Sequence, residues 1–246
     1  MLVRELRPRP QPWSAYRAHG GRAALPFRAL EWWLGWLAYY LSRWALLEVL
    51  EYLSVLSVLF AVIFYFAEAG DRQKQKHYQA WQVVNTAQGK GGSGGRIEAL
   101  QELNLDHVPL VGVDASGAFL QGIQLGGANL YRADLAGADL RNTNLAAADL
   151  QYANLRGANF RQGNLRGAKL GNAVLDDADL ANADLDGADL RASNLDNADL
   201  CSANLRGVEW RGIRGIRNAN IYGVRNAPEG FAAWAMAHGA VETKEE

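Results

Sequence analysis

The sequence predicts a mainly β solenoid, preceded by an N-terminal membrane-associated α-helical segment. Three observations carry that expectation. An apolar residue returns every fifth position from Leu130, Leu135, Leu140 and Leu145 to Leu205, with Phe160 standing in one Leu place. A small residue lies two before each, as in Ala128, Ala133, Ala138 and Thr143, and Asn or Asp sits between them except at Lys169 and Val174. Ahead of this, Tyr52 to Ala67 is a run whose only polar groups are Ser54, Ser57 and the tyrosine hydroxyls.

Period five fits neither a helix nor a flat strand, and a short fixed period sustained over a hundred residues marks a solenoid. Two residues apart on an extended segment, the Leu and the small residue point the same way, into the coil. The Asn or Asp between them and the following pair face water. Pairs such as Ala136-Gly137, Arg156-Gly157 and Asp196-Asn197 suit a tight corner. Four such sides make a square coil of about twenty residues, and Ala is needed because two large residues per side would overfill so narrow a core.

The units closely resemble the pentapeptide-repeat family over roughly residues 103–226. That resemblance implies a right-handed quadrilateral β-helix of about five and a half coils, on the order of 26 Å long. Repeat rods carry function on their surfaces and ends.

Composition narrows the classes. The chain has 246 residues, a formal net charge of −1 and one cysteine, Cys201. Near-zero charge argues against bulk nucleic-acid binding, so no nucleic-acid partner is expected. One cysteine excludes an internal disulfide framework.

Five segments follow in order. Residues 1–28 form an Arg/Pro-rich tail, read as disordered, with contact to anionic lipid as the alternative. Residues 29–67 form a Trp/Tyr-rich transmembrane or interfacial helix, anchored by Trp32, Trp33, Trp36 and Trp44. Counted from Ala45, the apolar stretch is 23 residues long, roughly 35 Å at about 1.5 Å per residue and enough to span lipid. Glu48 and Glu51 share a helix face near its start. They reach headgroup water in the plain reading and line an ion or proton path in a homo-oligomer in the other. Ala67-Glu68-Ala69 formally matches a leader cleavage site, but its position and the two glutamates favour an uncleaved anchor. Arg72, Lys74 and Lys76 after the span, against Arg28 and Arg43 before it, lean towards a single pass with the repeats in the cytoplasm.

Residues 68–95 read as a helical stalk and a Gly-rich hinge. Tyr78, Trp81 and Val84 form a narrow apolar stripe, and His77 is an ordinary surface histidine. Gly89 to Gly95 fails as a phosphate loop, because Val84 stands where a Gly is needed and Gly91 where a Ser or Thr is needed. A flexible linker is the better reading, with a backbone anion nest at Lys90 as the alternative. The stretch HYQAWQVVNTAQGKGGSGGRIEALQELN also resembles one that precedes the repeats in membrane-anchored bacterial pentapeptide-repeat proteins.

Residues 96–226 hold the β-helix, with Arg96 to Leu103 as its N-terminal helical cap. After Trp210 the register shifts by one residue. Residues 227–246 form a capping helix around Phe231 and Trp234, then a polar tail.

Charge on the rod is segregated: Arg141, Arg156, Arg161, Arg166 and Lys169 precede Asp176, Asp177, Asp179, Asp184, Asp186, Asp189, Asp196 and Asp199. Like charges stacked about 5 Å apart need solvent, counter-ions or a partner. Arg141, Arg156, Arg161, Arg166, Asp176, Asp179, Asp186, Asp196 and Asp199 are the candidate docking surface. Some relatives imitate DNA with a strongly acidic rod, but residues 103–226 hold fourteen acids and twelve bases, which disfavours that role here. The four histidines lie in separate segments and no catalytic, metal or cofactor pattern is recognised. The sequence therefore predicts a non-enzymatic membrane-anchored scaffold, with lipid and an unidentified protein as partners.

Overall fold

A computed structural model describes residues 7–17, 25–86 and 94–244, without the side chains of residues 25, 26, 45–48 and 69. The chain divides into two units, Met1–Arg72 and Gln73–Glu246.

In the first unit, α1 (Trp13–Arg17) lies within the segment expected to be disordered. It packs on α2 (Leu25–Arg43), with Trp13 edge-on to Trp32 at 5.6 Å. Trp32 Nε1 donates to the Gln11 carbonyl at 2.8 Å, and the Arg28 guanidinium donates to that of Tyr16 at 3.0 Å. The tail thus holds to α2 through aromatic rings and backbone acceptors that its Arg/Pro composition does not announce. The helix expected over 29–67 is also divided. Trp44 adopts an extended conformation (φ −84°, ψ 109°) between α2 and α3 (Ala45–Ala67), with no side-chain cap. Within α3, Val49–Ala67 has a mean hydropathy of 2.2 and none of it is buried. Its last turn is marked by Arg72, which stacks on the Tyr65 ring at 4.4 Å and donates to the Tyr65 carbonyl at 2.6 Å. Arg72 also lies 3.7 Å from Glu68.

The second unit is the solenoid with its two caps. Parallel bridges join residues twenty apart, from Asp114–Asp134, Phe119–Asp139, Gln124–Asn144 and Asn129–Asp149 to Asp189–Glu209. Four bridges per coil define four faces. The first carries Asp134, Asn154, Val174 and Asn194, the second Phe119, Asp139, Asn159, Asp179 and Asp199, the third Asn144, Asn164, Asp184 and Asn204, and the fourth Asn129, Asp149, Lys169, Asp189 and Glu209. Each face is only three residues wide, so pairing consists of isolated bridges rather than long ladders. The Leu and small-residue columns are buried along the whole run.

At each corner the small residue donates its N–H to the carbonyl three residues earlier, as Ala138 does to Leu135 at 3.1 Å. The second corner residue has φ near +60°, the conformation a type II turn demands. Gly and Asn fill many of these places, but so do Arg132, Ala147, Tyr152 and Ala192. Asp or Asn on each face then closes the next corner through its side chain. Asp134 Oδ1, for example, accepts the Ala136 N–H at 3.0 Å. That bond is the physical reason for the Asn/Asp in the repeat.

The N-terminal end is covered by α5 (Arg96–Leu105), which buries Arg96, Ala99, Leu100 and Leu103. It is also covered by α4 (Ala69–Thr86), where Ala80 and Val84 are buried while Trp81 and Val83 pack on the core. The contact stripe is therefore His77, Ala80, Trp81 and Val84, at ideal i, i+3, i+4, i+7 spacing. Tyr78, expected on that stripe, is exposed. His77 is no ordinary surface residue either: its Nε2 lies 2.6 Å from Asp106 Oδ2, just after α5. Gly95, at φ +83°, fits because a Cβ there would come to 3.4 Å from Val83.

The His77 contact, the largest influence on Asp106, holds that carboxyl below its usual range. A depressed folded pKa gives stability that is present above the unfolded value, near 3.9, and lost as pH falls through the folded one. Amide exchange in residues 73–86 is therefore expected to accelerate relative to the rest of the rod below about pH 4. In Asp106→Asn, which keeps an acceptor that does not titrate, that acid-specific acceleration should vanish. An unchanged acid limb would refute the assignment.

At the other end one residue is added. Arg214 N–H donates to Ser193 O at 2.8 Å and Gly215 O accepts from Leu195 N–H at 2.9 Å, so two residues oppose Asn194. This is a β-bulge, and the next bridges, Asp199–Asn220 and Asn204–Arg225, are twenty-one apart. The cap α6 (Phe231–Ala237) follows, and Trp210 meets Phe231 at 5.7 Å and Trp234 at 5.1 Å. The chain then rejoins the sheet, bridging Val241 to Asn220, within the segment expected as tail.

Gly215 is obligatory at the bulge. A Cβ there would overlap Asn194 Oδ1 and come 2.6 Å from Asp196 Oδ1. Asn194 is held by bonds to the Asp196 N–H and to Asp176, so it yields only by losing them. Gly215→Ala should cost about 1–3 kcal/mol in chemical denaturation, whereas Gly112→Ala, in open space, should cost only its positive-φ strain.

Candidate functional site

The twenty-residue coil assigns each charged candidate a place. Asp179 and Asp199 lie on the second face. Arg156, Asp176 and Asp196 line the edge it shares with the first, and Arg141 and Arg161 the edge it shares with the third. Arg166 and Asp186 stand one edge further round, between the third and fourth faces. Most of the candidate surface is thus one face with its two borders.

On that face the charges pair. Arg141 forks onto Asp139, with Nε to Oδ1 at 2.8 Å and Nη2 to Oδ2 at 2.6 Å. This bond is the main cause holding the Asp139 carboxyl below its usual range. Arg161 reaches Asp179 at 2.6 Å and Asp199 at 3.7 Å, tying two stacked acids to one guanidinium. Arg156 lies 3.4 Å from Asp177. Asp176 accepts from Asn194 Nδ2 at 2.6 Å, and Asp196 receives Arg217 Nη2 at 3.0 Å. Arg166 joins Asp184 at 3.3 Å and Asp186 at 2.9 Å. For Asp184, burial pushes the carboxyl up, but the Asp186 N–H, the Asn204 amide and Arg166 together hold it down. The expected repulsion within like-charged columns is relieved by basic residues of the same coil, as at Arg141, of an earlier one, as at Arg161 and Arg166, or of a later one, as at Arg217. Pairs this exposed add little stability. Their effect is to fix side-chain positions and make the face a pattern of alternating sign.

Two exposed aromatic features were not singled out in the sequence. Phe119, 51% exposed, stands on the second face in the Asp139 column. Tyr131 and Tyr152 meet edge-on at 5.4 Å, with the Arg132 guanidinium 5.3 and 5.9 Å from their rings. The coil period is the signal that could have found the second cluster: residues 131 and 152, twenty-one apart, are neighbours only across a corner.

In α2, Trp32, Trp36, Tyr39 and Tyr40 form a chain of mostly edge-on rings, centroids 5.6–6.1 Å apart, in which the first three are half-buried and Tyr40 is exposed. Trp33 and Trp44 are exposed. Glu51 is exposed on α3. The Glu48 side chain and Lys90, with its suggested anion nest, lie outside the described residues. Ser54 and Ser57 donate to the carbonyls of Glu51 and Ser54, at 2.7 and 2.8 Å, so both are satisfied within their own helix. Among the described residues, no group of three or more His, Cys, Asp or Glu is placed to hold a metal ion.

Comparison with known proteins agrees with this geometry. The profile of pentapeptide repeats matches in eight copies, over residues 110–145, 123–162, 140–177 and 168–207. No curated relative matches. Among solved structures, the chain is 35% identical to the pentapeptide repeat protein Rfr23 from the cyanobacterium Cyanothece 51142, with a TM-score of 0.31. That match covers 38% of this chain and 62% of Rfr23, so the chain spans less than two thirds of that protein's length. It is 30% identical to a pentapeptide repeat protein from the Arabidopsis thaliana thylakoid lumen, over 46% of this chain and 82% of that one, with a TM-score of 0.34. HetL from Nostoc sp. strain PCC 7120 is 33% identical over 48% of this chain and 68% of its own, with a TM-score of 0.21. With five-residue units, four to a coil, and this degree of identity, the chain belongs to the pentapeptide-repeat family.

Proposed function

We propose that this protein is a non-enzymatic, membrane-anchored scaffold, in which a right-handed β-helix offers its second face for docking another protein. The observation that carries the membrane half is the bare apolar helix α3. Its span of 19 residues has no protein cover on any side, and so large an apolar surface requires one. Lipid fits the length. We place the rod in the cytoplasm because Arg72, Lys74 and Lys76 follow the span.

The docking half is supported by the ion-paired second face, rigid and patterned in charge, with Phe119 as an apolar anchor at one end. Patterned charge selects a partner more than it adds affinity, and an exposed aromatic beside arginines is a common focus of binding energy. The test is photo-crosslinking in membranes of the native host. A reactive residue at Gln121, bordering the second face, should capture a defined partner that Arg161→Glu abolishes. One at Gln151, on the opposite edge, should not. Equal capture from both edges, or capture indifferent to Arg161, would overturn the reading.

A second reading rests on Glu51, whose carboxylate is exposed on the uncovered α3. Helices that associate could turn it inward in a homo-oligomer and so form an ion or proton path. The mass of the full chain in mild detergent decides: a monomer removes this reading.

A further inference from the structure

The period of the rod breaks where one residue has been added, and the added residue is an arginine. Arg214 and Gly215 form the bulge opposite Asn194, and bulges commonly re-aim a side chain beside a functional site. A cleft of about 560 Å³ opens there. Ile213, Ile216 and Trp234 lie on its apolar side, and Arg214 and Arg217 supply N–H donors. Its volume is that of a small-molecule site.

The polar groups are held with capacity to spare. Arg214 Nη2 donates to Asn172 Oδ1 at 2.9 Å, two coils back. Arg217 donates to Asp196 at 3.0 Å and thereby occupies the one acid of the cleft. A guanidinium has five N–H donors, so each arginine keeps others for a ligand. The His238 ring stacks on Trp234 at 4.5 Å, with Nδ1 turned to the Trp234 carbonyl at 2.7 Å. Its Nε2 is left as the second ring nitrogen.

We propose that this cleft binds a small organic oxyanion, a phosphate or carboxylate carried on an apolar ring or chain. The guanidinia grip the anionic group in the charge-assisted, fork-like way that arginine offers. The apolar body lies against the partly exposed Trp234 ring, with Ile213 and Ile216 buried beneath. The site is independent of the membrane helix and meets the docking face at Asp196.

The test is calorimetric titration of the full chain in mild detergent with phenyl phosphate, benzoate and, as the uncharged control, benzyl alcohol. At least one anion should bind one-to-one with a Kd below about 1 mM, while benzyl alcohol does not. Arg214→Gln and Arg217→Gln should each weaken binding about tenfold or more, and Arg206→Gln, outside the cleft, should leave it unchanged. Preference for phenyl phosphate assigns a phosphate ligand, and preference for benzoate a carboxylate; either supports the site. If Arg217→Gln lowers the melting temperature by freeing Asp196, Arg214→Gln alone decides. The proposal fails if neither anion exceeds benzyl alcohol, or if Arg206→Gln weakens binding as much as Arg214→Gln.

Discussion

Replacing Phe160 by alanine should lower the stability of the rod by about 3–5 kcal/mol, the usual cost of removing a fully buried aromatic ring. Phe160 has no exposed surface and stands in the inward column of the second face, with Leu120, Leu140, Leu180 and Leu200. The surroundings are poorly able to close on the cavity. Neighbouring coils are pinned by bridges, with Asn159 paired to both Asp139 and Asp179, so a coil cannot sink inward without breaking them. Phe160→Leu restores the column's ordinary residue and should cost less than about 1.5 kcal/mol. Chemical denaturation of both variants checks this. A loss under about 1 kcal/mol for alanine would mean that coils relax more freely than their bridging suggests. Each coil touches only its neighbours, so the added hydrogen exchange should concentrate around residues 140–180 and spread weakly to the caps.

What was legible in the sequence follows from how each feature is encoded. The rod was legible because each five-residue unit states its own geometry: Leu and Ala inward, Asn or Asp outward, and Gly, Asn or Asp at the corners; that the Asn or Asp side chain closes the next corner was not read in advance. Twenty-residue stacking then follows by counting. The pairing of Arg161 with Asp179 and Asp199 was not read in advance. It depends on how far a guanidinium reaches across coils, whereas counting places residues only within columns. The break at Trp44 had no signal, since Ser42-Arg43-Trp44 contains neither Gly nor Pro. The burial of Arg96 in the first turn of α5 runs against the ordinary placement of arginine at a helix start. His77 was misread because a polar residue hid the true i, i+3, i+4, i+7 face. At the C-terminal end the shift of register was visible, but its form as a bulge and the cleft beside it depend on where α6 packs.

Two arginines placed in the middle of α3 should release the protein from membranes. On insertion scales an arginine at the helix centre costs about 2.5–3.5 kcal/mol, so a pair costs roughly 6 kcal/mol, or about four orders of magnitude in partition. Where the pair is placed distinguishes a span from a helix lying on the surface. Leu56 and Phe60 are four apart and share a side, and Val58 and Val62 share nearly the opposite one. All four are exposed. A spanning helix meets lipid all round, so Leu56→Arg/Phe60→Arg and Val58→Arg/Val62→Arg should both move the chain from the carbonate-resistant membrane fraction into the extract. An interfacial helix has one wet side and would tolerate one of the pairs. Retention of either variant would therefore refute the single span and transfer the anchoring role to the Trp-rich α2. Release of both would leave lipid as the cover that the apolar surface of α3 requires.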